Sequence, residues 1–296
     1  MTNFFLSPVY RISPFKTSDY SKRVKLLNQP NKNENITNER IKNSYQEYYT
    51  NSGRDAIELY LKHLKLNVED EVTIFTTTSS FYVSSCVTNT IEKVCRWNRK
   101  VTNKTKCIIV IHEFGKLYTN IDKLSIYNVP ILEDFAHSFS SLYYTDNIKG
   151  DAAIFSLSKF LSIDSGGILL SKDEVNTHSN QSYHSFFYKN KNNILSQIKK
   201  RKIVESYYIK KLKDVGISPY FIYSKNEAPG AFVFNINRPI EYLQELKHYL
   251  QSNFIECSVF YENQAFFLPC HHELELEDID YICDLMKEYL RKNDNK

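Results

Sequence analysis

Four short apolar runs constrain this chain more than any other feature. "CIIVIHEF" (107–114), "VPILED" (129–134), "AAIFSL" (152–157) and "GGILL" (166–170) are nearly continuous in apolar residues. A strand with one wet face alternates apolar and polar positions, whereas a strand buried on both faces does not. A fifth run, "EVTIF" (71–75), precedes them, and "SSFYVSSCVTNTIEKV" after it reads as a crossover helix. Strands spaced by helices in this way predict an α/β domain with a largely parallel central sheet flanked by helices.

Upstream, "TNSGRDAIELYLKHLKL" sets Ala56, Ile57, Tyr60, Leu61 and Leu64 at helical spacing. Ser52 is placed to cap that helix, and Asp55 completes a capping-box-like pair. Residues 1 to about 45 are polar, rich in Asn and Lys, and read as an arm. The stretch from about 175 to 200, with "NTHSNQSYHSFFYKNKNN", turns polar again and reads as a loop. A helix near 194–213, a strand "GAFVFNI", a helix near 240–252, a short strand and the closing helix "LEDIDYICDLMKEYL" follow. The expected organisation is an arm (1–45), a large α/β domain (46–190) and a smaller α+β C-terminal domain (191–296). A chain of 296 residues is long enough for two cores.

Composition removes several alternatives. The formal net charge of +4 is small for this length and points to no polyanionic partner. No apolar run approaches the roughly 18 residues a membrane span needs. The N-terminus lacks the basic flank and long apolar stretch of a signal peptide. The six cysteines show no C-x-x-C spacing, so they are expected as buried thiols in a reducing cytoplasm. "KKRK" (199–202) reads as a solvated helix face rather than a nucleic-acid contact. "CHHE" (270–273) reads as a turn, because successive residues on an extended chain point to opposite faces and cannot easily share a metal ion.

The candidate chemistry lies where strands end, since α/β sheets gather ligands at their carboxyl edges. Glu133-Asp134 closes "VPILED", with His137 three residues on; Lys159 follows "AAIFSL"; the "SGRD" turn opens a helix. An acid, a lysine, a histidine and an anion-binding helix start are what a pyridoxal phosphate site needs. The lysine forms the Schiff base, and the acid keeps the pyridine nitrogen protonated. A lysine among apolar residues has a reason to give up its proton, because desolvation disfavours its charge. Each residue also has an ordinary reading as a surface lysine, a turn acid, a satisfied histidine or a helix cap.

From about Ser52 onward, the chain resembles the DegT/DnrJ/EryC1/StrS family of sugar aminotransferases. The resemblance runs in order through "NSGRDAI", "EDEVTIF", "VIHEFGKLYTNIDKL", "ILEDFAHSFSS", "GDAAIFSLSKFLSIDSGGILLSKD" and "FFLPCHHELELEDIDYICDLMKEYL". It implies the fold-type I architecture of pyridoxal phosphate enzymes. It also implies Lys159 as the Schiff-base lysine, Asp134 as partner of the pyridinium nitrogen and His137 near the cofactor's phenolic oxygen. Ser156, Gly53, Arg54 and Asp55 would stand around the phosphate. The activity implied is transfer of an amino group, with glutamate as donor, to a keto sugar carried on a nucleotide, in bacterial surface polysaccharide (O-antigen or capsule) assembly. The partners implied are those small molecules and a second copy of the chain as homodimer, with no nucleic acid and no membrane.

Four departures accompany the resemblance. Arg54 stands where the family commonly has a small or hydroxyl residue, and Ser156 lies two residues closer to Lys159 than in the commonest form. The ring-stacking role falls to Phe81 or Tyr82. "YKNKNNILSQIKKRK" replaces the segment that usually reaches the neighbouring subunit. A non-catalytic relative that keeps the fold as a binding or scaffold protein is the alternative expectation.

Overall fold

The computed structural model describes residues 9–14 and 40–294. The remainder of the expected N-terminal arm lies outside the described residues. The chain enters its first sheet through β1 (Gln46–Thr50), a strand that the apolar runs do not predict. Helix α1 (Gly53–His63) follows, and Ser52 Oγ accepts from the Asp55 amide as the cap pattern predicts. Then come β2 (Glu71–Thr76), α2 (Ser85–Ile91), β3 (Arg96–Asn98), β4 (Thr105–Ile111), α3 (Ile121–Leu124), β5 (Ile131–Asp134), β6 (Ala152–Ser156) and β7 (Gly167–Ser171).

These strands form a seven-stranded sheet in the order β1-β7-β6-β5-β4-β2-β3. Strands β3, β2, β4, β5 and β6 pair in parallel, as the apolar runs predict. The run "GGILL" departs from that pattern: β7 pairs antiparallel with both β6 and β1. One face buries Leu132, Ala152, Ile154 and Leu169 against Ala56, Ile57, Tyr60 and Leu61 of α1. The opposite face buries Ala153, Phe155, Ile168 and Leu170. Helices on both faces account for the missing alternation in these strands.

The polar stretch expected as a loop instead holds α4 (Gln181–Asn190), capped by Asn180, whose side chain accepts from the Ser182 amide. Its aromatic residues Phe187 and Tyr188 are buried on the first sheet's second core, which offsets its polar composition. Helix α5 (Ile194–Leu212) begins there. Its inward stripe is Ile194, Ile198, Arg201, Val204, Tyr208 and Leu212. The "KKRK" reading as a solvated face therefore fails at Arg201, which helical spacing puts on the buried side.

The chain ends in a second sheet made of β8 (Ser218–Pro219), β9 (Phe232–Asn235), β10 (Ser258–Phe260) and β11 (Ala265–Leu268). Its order is β10-β11-β9-β8, antiparallel throughout. Helices α6 (Ile240–Ser252) and α7 (Leu276–Asp294) pack with the C-terminal half of α5 on its core of Phe232, Phe234, Phe266 and Leu268. Residues 9–14 also lie on this part of the chain, with Tyr10 bridging in parallel to Ile255. Among the described residues no helix is long and apolar enough to cross a membrane.

Two glycines permit the closest approach in the first sheet. Gly166 (φ +103°) donates its amide to Asn51 O, and Ser52 bridges to Gly166. A Cβ at position 167 would collide with the Ser52 carbonyl and come within 2.7 Å of Gly53 N. The start of β7 thus lies flush against the turn that opens α1. Gly167→Ala should destabilise the protein by about 1–3 kcal/mol, the usual cost of overpacking, and chemical denaturation of the two proteins measures it.

Candidate functional site

The consecutive acids at the end of β5 point to opposite faces, as a strand's pleat requires. Glu133 is fully buried on the face opposite α1. Its Oε2 meets His112 Nε2 at 2.9 Å, and its Oε1 accepts the amides of Lys149 and Gly150 at 2.6 and 2.5 Å. His112 Nδ1 accepts from the Tyr118 amide at 3.0 Å, which assigns the ring proton to Nε2 and makes His112 the donor to Glu133. The His112 ring stacks on Phe135, and Phe135 stacks on Phe155. Every strong demand of Glu133 is met inside the protein, so it closes the turn after β5 rather than facing a ligand.

Asp134 shares the α1 face with Leu132, and its register partner on β6 is Ile154. It is buried, and its Oδ1 accepts the Ala136 amide at 2.8 Å. Desolvation pushes its carboxyl up to about 6, opposed by that amide. No described hydrogen bond occupies its second oxygen. Half-buried His137 follows in the turn. Desolvation first, then the positive charges of Lys159 and Arg201, press its imidazole down to about 3, so it is neutral at physiological pH.

Ser156 ends β6 two residues beyond Ile154, on the same face as Asp134. Lys159 ends the single 3-10 turn that follows, Leu157–Lys159. Gly53, the first residue of α1, lies directly over Ser156: a Cβ there would stand 3.3 Å from the serine's own. The helix ladder leaves the first-turn amides of Gly53 and Arg54 outside it. Arg54 and Asp55 are exposed, and the Asp55 amide is already taken by Ser52 Oγ.

The structure therefore brings Asp134, His137, Ser156, Lys159 and Gly53 to adjoining strand ends. Phe81 and Tyr82 stand farther along the same edge, on the loop after β2, 64% and 48% exposed. That loop is held by Glu262, which accepts from the Tyr82 amide at 2.9 Å and from Ser80 Oγ. Arg99 braces the loop from below, donating to Thr76 Oγ1 and to the carbonyls of Ile74 and Ser80.

Other sequence candidates resolve differently. His271 Nε2 donates to the Arg11 carbonyl at 2.9 Å, and its Nδ1 accepts from the Glu273 amide. Among the described residues no group of three His, Cys, Asp or Glu is arranged to hold a metal ion. Five cysteines are buried as expected, but Cys86 is exposed, because it sits in the first turn of α2 at the surface. The sequence reading of 199–202 as a solvated face misplaces Arg201, whose position in the 194-198-201-204 spacing marks it as inward-facing.

The residues present fit pyridoxal phosphate. A buried carboxylate with an open oxygen suits a pyridinium nitrogen, since pairing with a cation would relieve its desolvation. A glycine at the start of α1, with a serine hydroxyl beneath it, suits a phosphate. A lysine follows the adjoining strand. Such groups on the carboxyl edge of this sheet define the class as fold-type I transferases.

Residues 34–232 match the family described as "Putative PLP-dependent aminotransferase", and the chain belongs to that family. It is a pyridoxal phosphate-dependent aminotransferase by membership, and a non-catalytic role is not favoured. No curated protein sequence matches the chain. Solved structures share its fold at low identity. The aminotransferase TlmJ from Streptoalloteichus hindustanus superposes with a TM-score of 0.66 at 13% identity, covering 83% of this chain and 86% of that one. A DegT DnrJ EryC1 StrS aminotransferase from Brucella abortus gives 0.63 at 13% identity over 82% and 86%. Helicobacter pylori PseC, an aminotransferase involved in the biosynthesis of pseudoaminic acid, gives 0.64 at 16% identity over 83% and 87%.

The Asp134 carboxyl makes a stability prediction. Its folded pKa lies above its ordinary 3.8, so between about pH 4 and 6 the folded chain keeps a proton the unfolded chain has lost. Stability falls through that window and the loss persists above it, on the order of 3 kcal/mol in the cofactor-free protein. Asp134→Asn should therefore stabilise the cofactor-free protein by about 1–3 kcal/mol at pH 8 and not at pH 4. Urea unfolding at both pH values checks this.

Proposed function

We propose that the protein transfers an amino group from an amino acid, glutamate in the first instance, to the keto group of a nucleotide-linked sugar. The single observation that carries the catalytic part is the shared edge: Asp134 on β5, with Ser156 and Lys159 closing β6 beneath the start of α1. The sugar part is supported by the folds it shares with the DegT-type enzyme and PseC, and by the resemblance of its lysine segment to that family.

In this reading Asp134 holds a proton at the pyridine nitrogen, and the bound ring supplies an electron sink. Lys159 Nζ takes the proton from Cα of the amino donor and returns it in the following step. His137, kept neutral by burial and by the neighbouring positive charges, orients through a lone pair or an N–H without adding charge. The Gly53 and Arg54 amides with Ser156 Oγ bind the phosphate, and the exposed Arg54 guanidinium adds a counter-charge. Phe81 or Tyr82 covers the ring from the β2 loop, whose exposure fits a surface completed by a second subunit. A homodimer in the bacterial cytoplasm, serving O-antigen or capsule assembly, completes the proposal.

The protein reconstituted with pyridoxal phosphate should absorb in the visible, lose the band on borohydride treatment, and never acquire it in Lys159→Ala. Glutamate should convert wild type to the pyridoxamine phosphate form, and a nucleotide-linked keto sugar should convert it back. Failure of every amino donor to produce that form would sink the aminotransferase reading of this chain. Success with donors but with no keto sugar would sink the sugar assignment alone.

A further inference from the structure

Helix α5 carries one buried cation that the proposed chemistry does not use. Arg201 is 0% exposed, and its guanidinium lies 4.5 Å over the Phe139 ring. A buried charge is ordinarily paired with an opposite charge. Arg201 is bound instead by four main-chain carbonyls. Nη1 donates to Pro229 O at 3.2 Å, Gly230 O at 3.3 Å and Cys270 O at 3.0 Å, and Nη2 donates to Lys159 O at 2.9 Å.

Those carbonyls come from three segments that share no strand: the lysine turn after β6, the entry to β9 and the exit from β11. A single group that serves all of them must reach in several directions within one plane, which the guanidinium fork does and an ammonium does not. Desolvation lowers the Arg201 guanidinium to about 10, which leaves it charged at neutral pH. Its charge acts on His137 beside Lys159, and on Cys270 and His272 beyond β11. Lys200, His271 and Glu205 are the other titratable groups that bear on that cluster.

Resting on the reading of Lys159 as the cofactor-bearing lysine, we propose that Arg201 is its positioning residue: the guanidinium ties the Lys159 carbonyl to the second sheet, fixing where the amine stands, and supplies the positive field in which that amine works. The hold is geometric and the field is electrostatic, so two substitutions separate them. Arg201→Lys keeps the charge but loses the fork. Arg201→Met keeps the apolar stem but loses both.

The test uses the full chain with pyridoxal 5′-phosphate. It follows visible absorbance against pH and backbone hydrogen exchange of peptides covering 157–162. Exchange in that segment should speed about tenfold or more in both variants relative to wild type. The absorbance titration midpoint should rise by about one pH unit in Arg201→Met, because a lost cation favours the protonated form, and stay close to wild type in Arg201→Lys. Unchanged exchange in both variants, or a midpoint in Arg201→Met equal to wild type, overturns the proposal. If Arg201→Met does not fold, Arg201→Lys and wild type decide. Exchange of 157–162 in wild type as fast as in an exposed loop, or no acceleration in Arg201→Lys, overturns it. A wild type with no visible band refutes the role of Lys159, while the exchange comparison still judges the hold of Arg201.

Discussion

The site depends on the pleat of one four-residue strand. Strand β5 buries two adjacent carboxylates, and alternation sends Glu133 to one face and Asp134 to the other. The two faces then treat the same chemical group in opposite ways. Glu133 receives a histidine N–H and two amides. Asp134 receives one amide, and its carboxyl is held high by desolvation. A one-residue slip of β5 would exchange them, taking Glu133 away from its histidine and amides and moving Asp134 off the face of Ser156. Strand register is therefore a condition of the chemistry as well as of the fold.

Around that strand, positions are set by close backbone approach more than by side-chain pairing. Gly53 and Gly167 bring the start of α1 against Ser156 and the start of β7. Gly230 lies against the His137 carbonyl and donates its amide to Phe114 O, while Phe114 itself adopts φ +50°. The chain has only seven glycines, and most of those at contacts fall where two segments meet at the edge of the first sheet. Spending so scarce a residue there fits a layout in which main-chain distances, not long side chains, set the geometry.

Much of this was legible in the sequence because burial on both faces leaves a nearly unbroken apolar run: four such runs coincide with β4, β5, β6 and β7, and "EVTIF" before them with β2. The α1 cap was legible because its signal is local. Strand β1 was not, because "QEYYT" is half polar and pairs with β7, more than a hundred residues away. Helix α4 was hidden by its polar surface, and β7's direction by the fact that an apolar run carries no polarity of its own. The candidates Asp134 and Lys159 stand out in the sequence through their places at strand ends and through resemblance. Arg201 was read as solvated because its neighbours Lys199, Lys200 and Lys202 made the charge look superficial, although the apolar Ile198 and Val204, three positions to either side, said otherwise.

The lysine turn also joins distant parts of the chain. Ser158 O accepts from Ser13 Oγ, and Lys159 O accepts from Arg201, whose other partners include Cys270. Contacts of such long sequence separation form late, since their loops must close first. A nascent chain emerging from the ribosome can pair β4, β5 and β6 as soon as they are made. It cannot anchor the turn through Arg201 until residue 270 has been synthesised. The anchor of the lysine turn thus waits on residues made well after the turn itself, so a chain not yet extended to Cys270 holds that turn with one partner fewer.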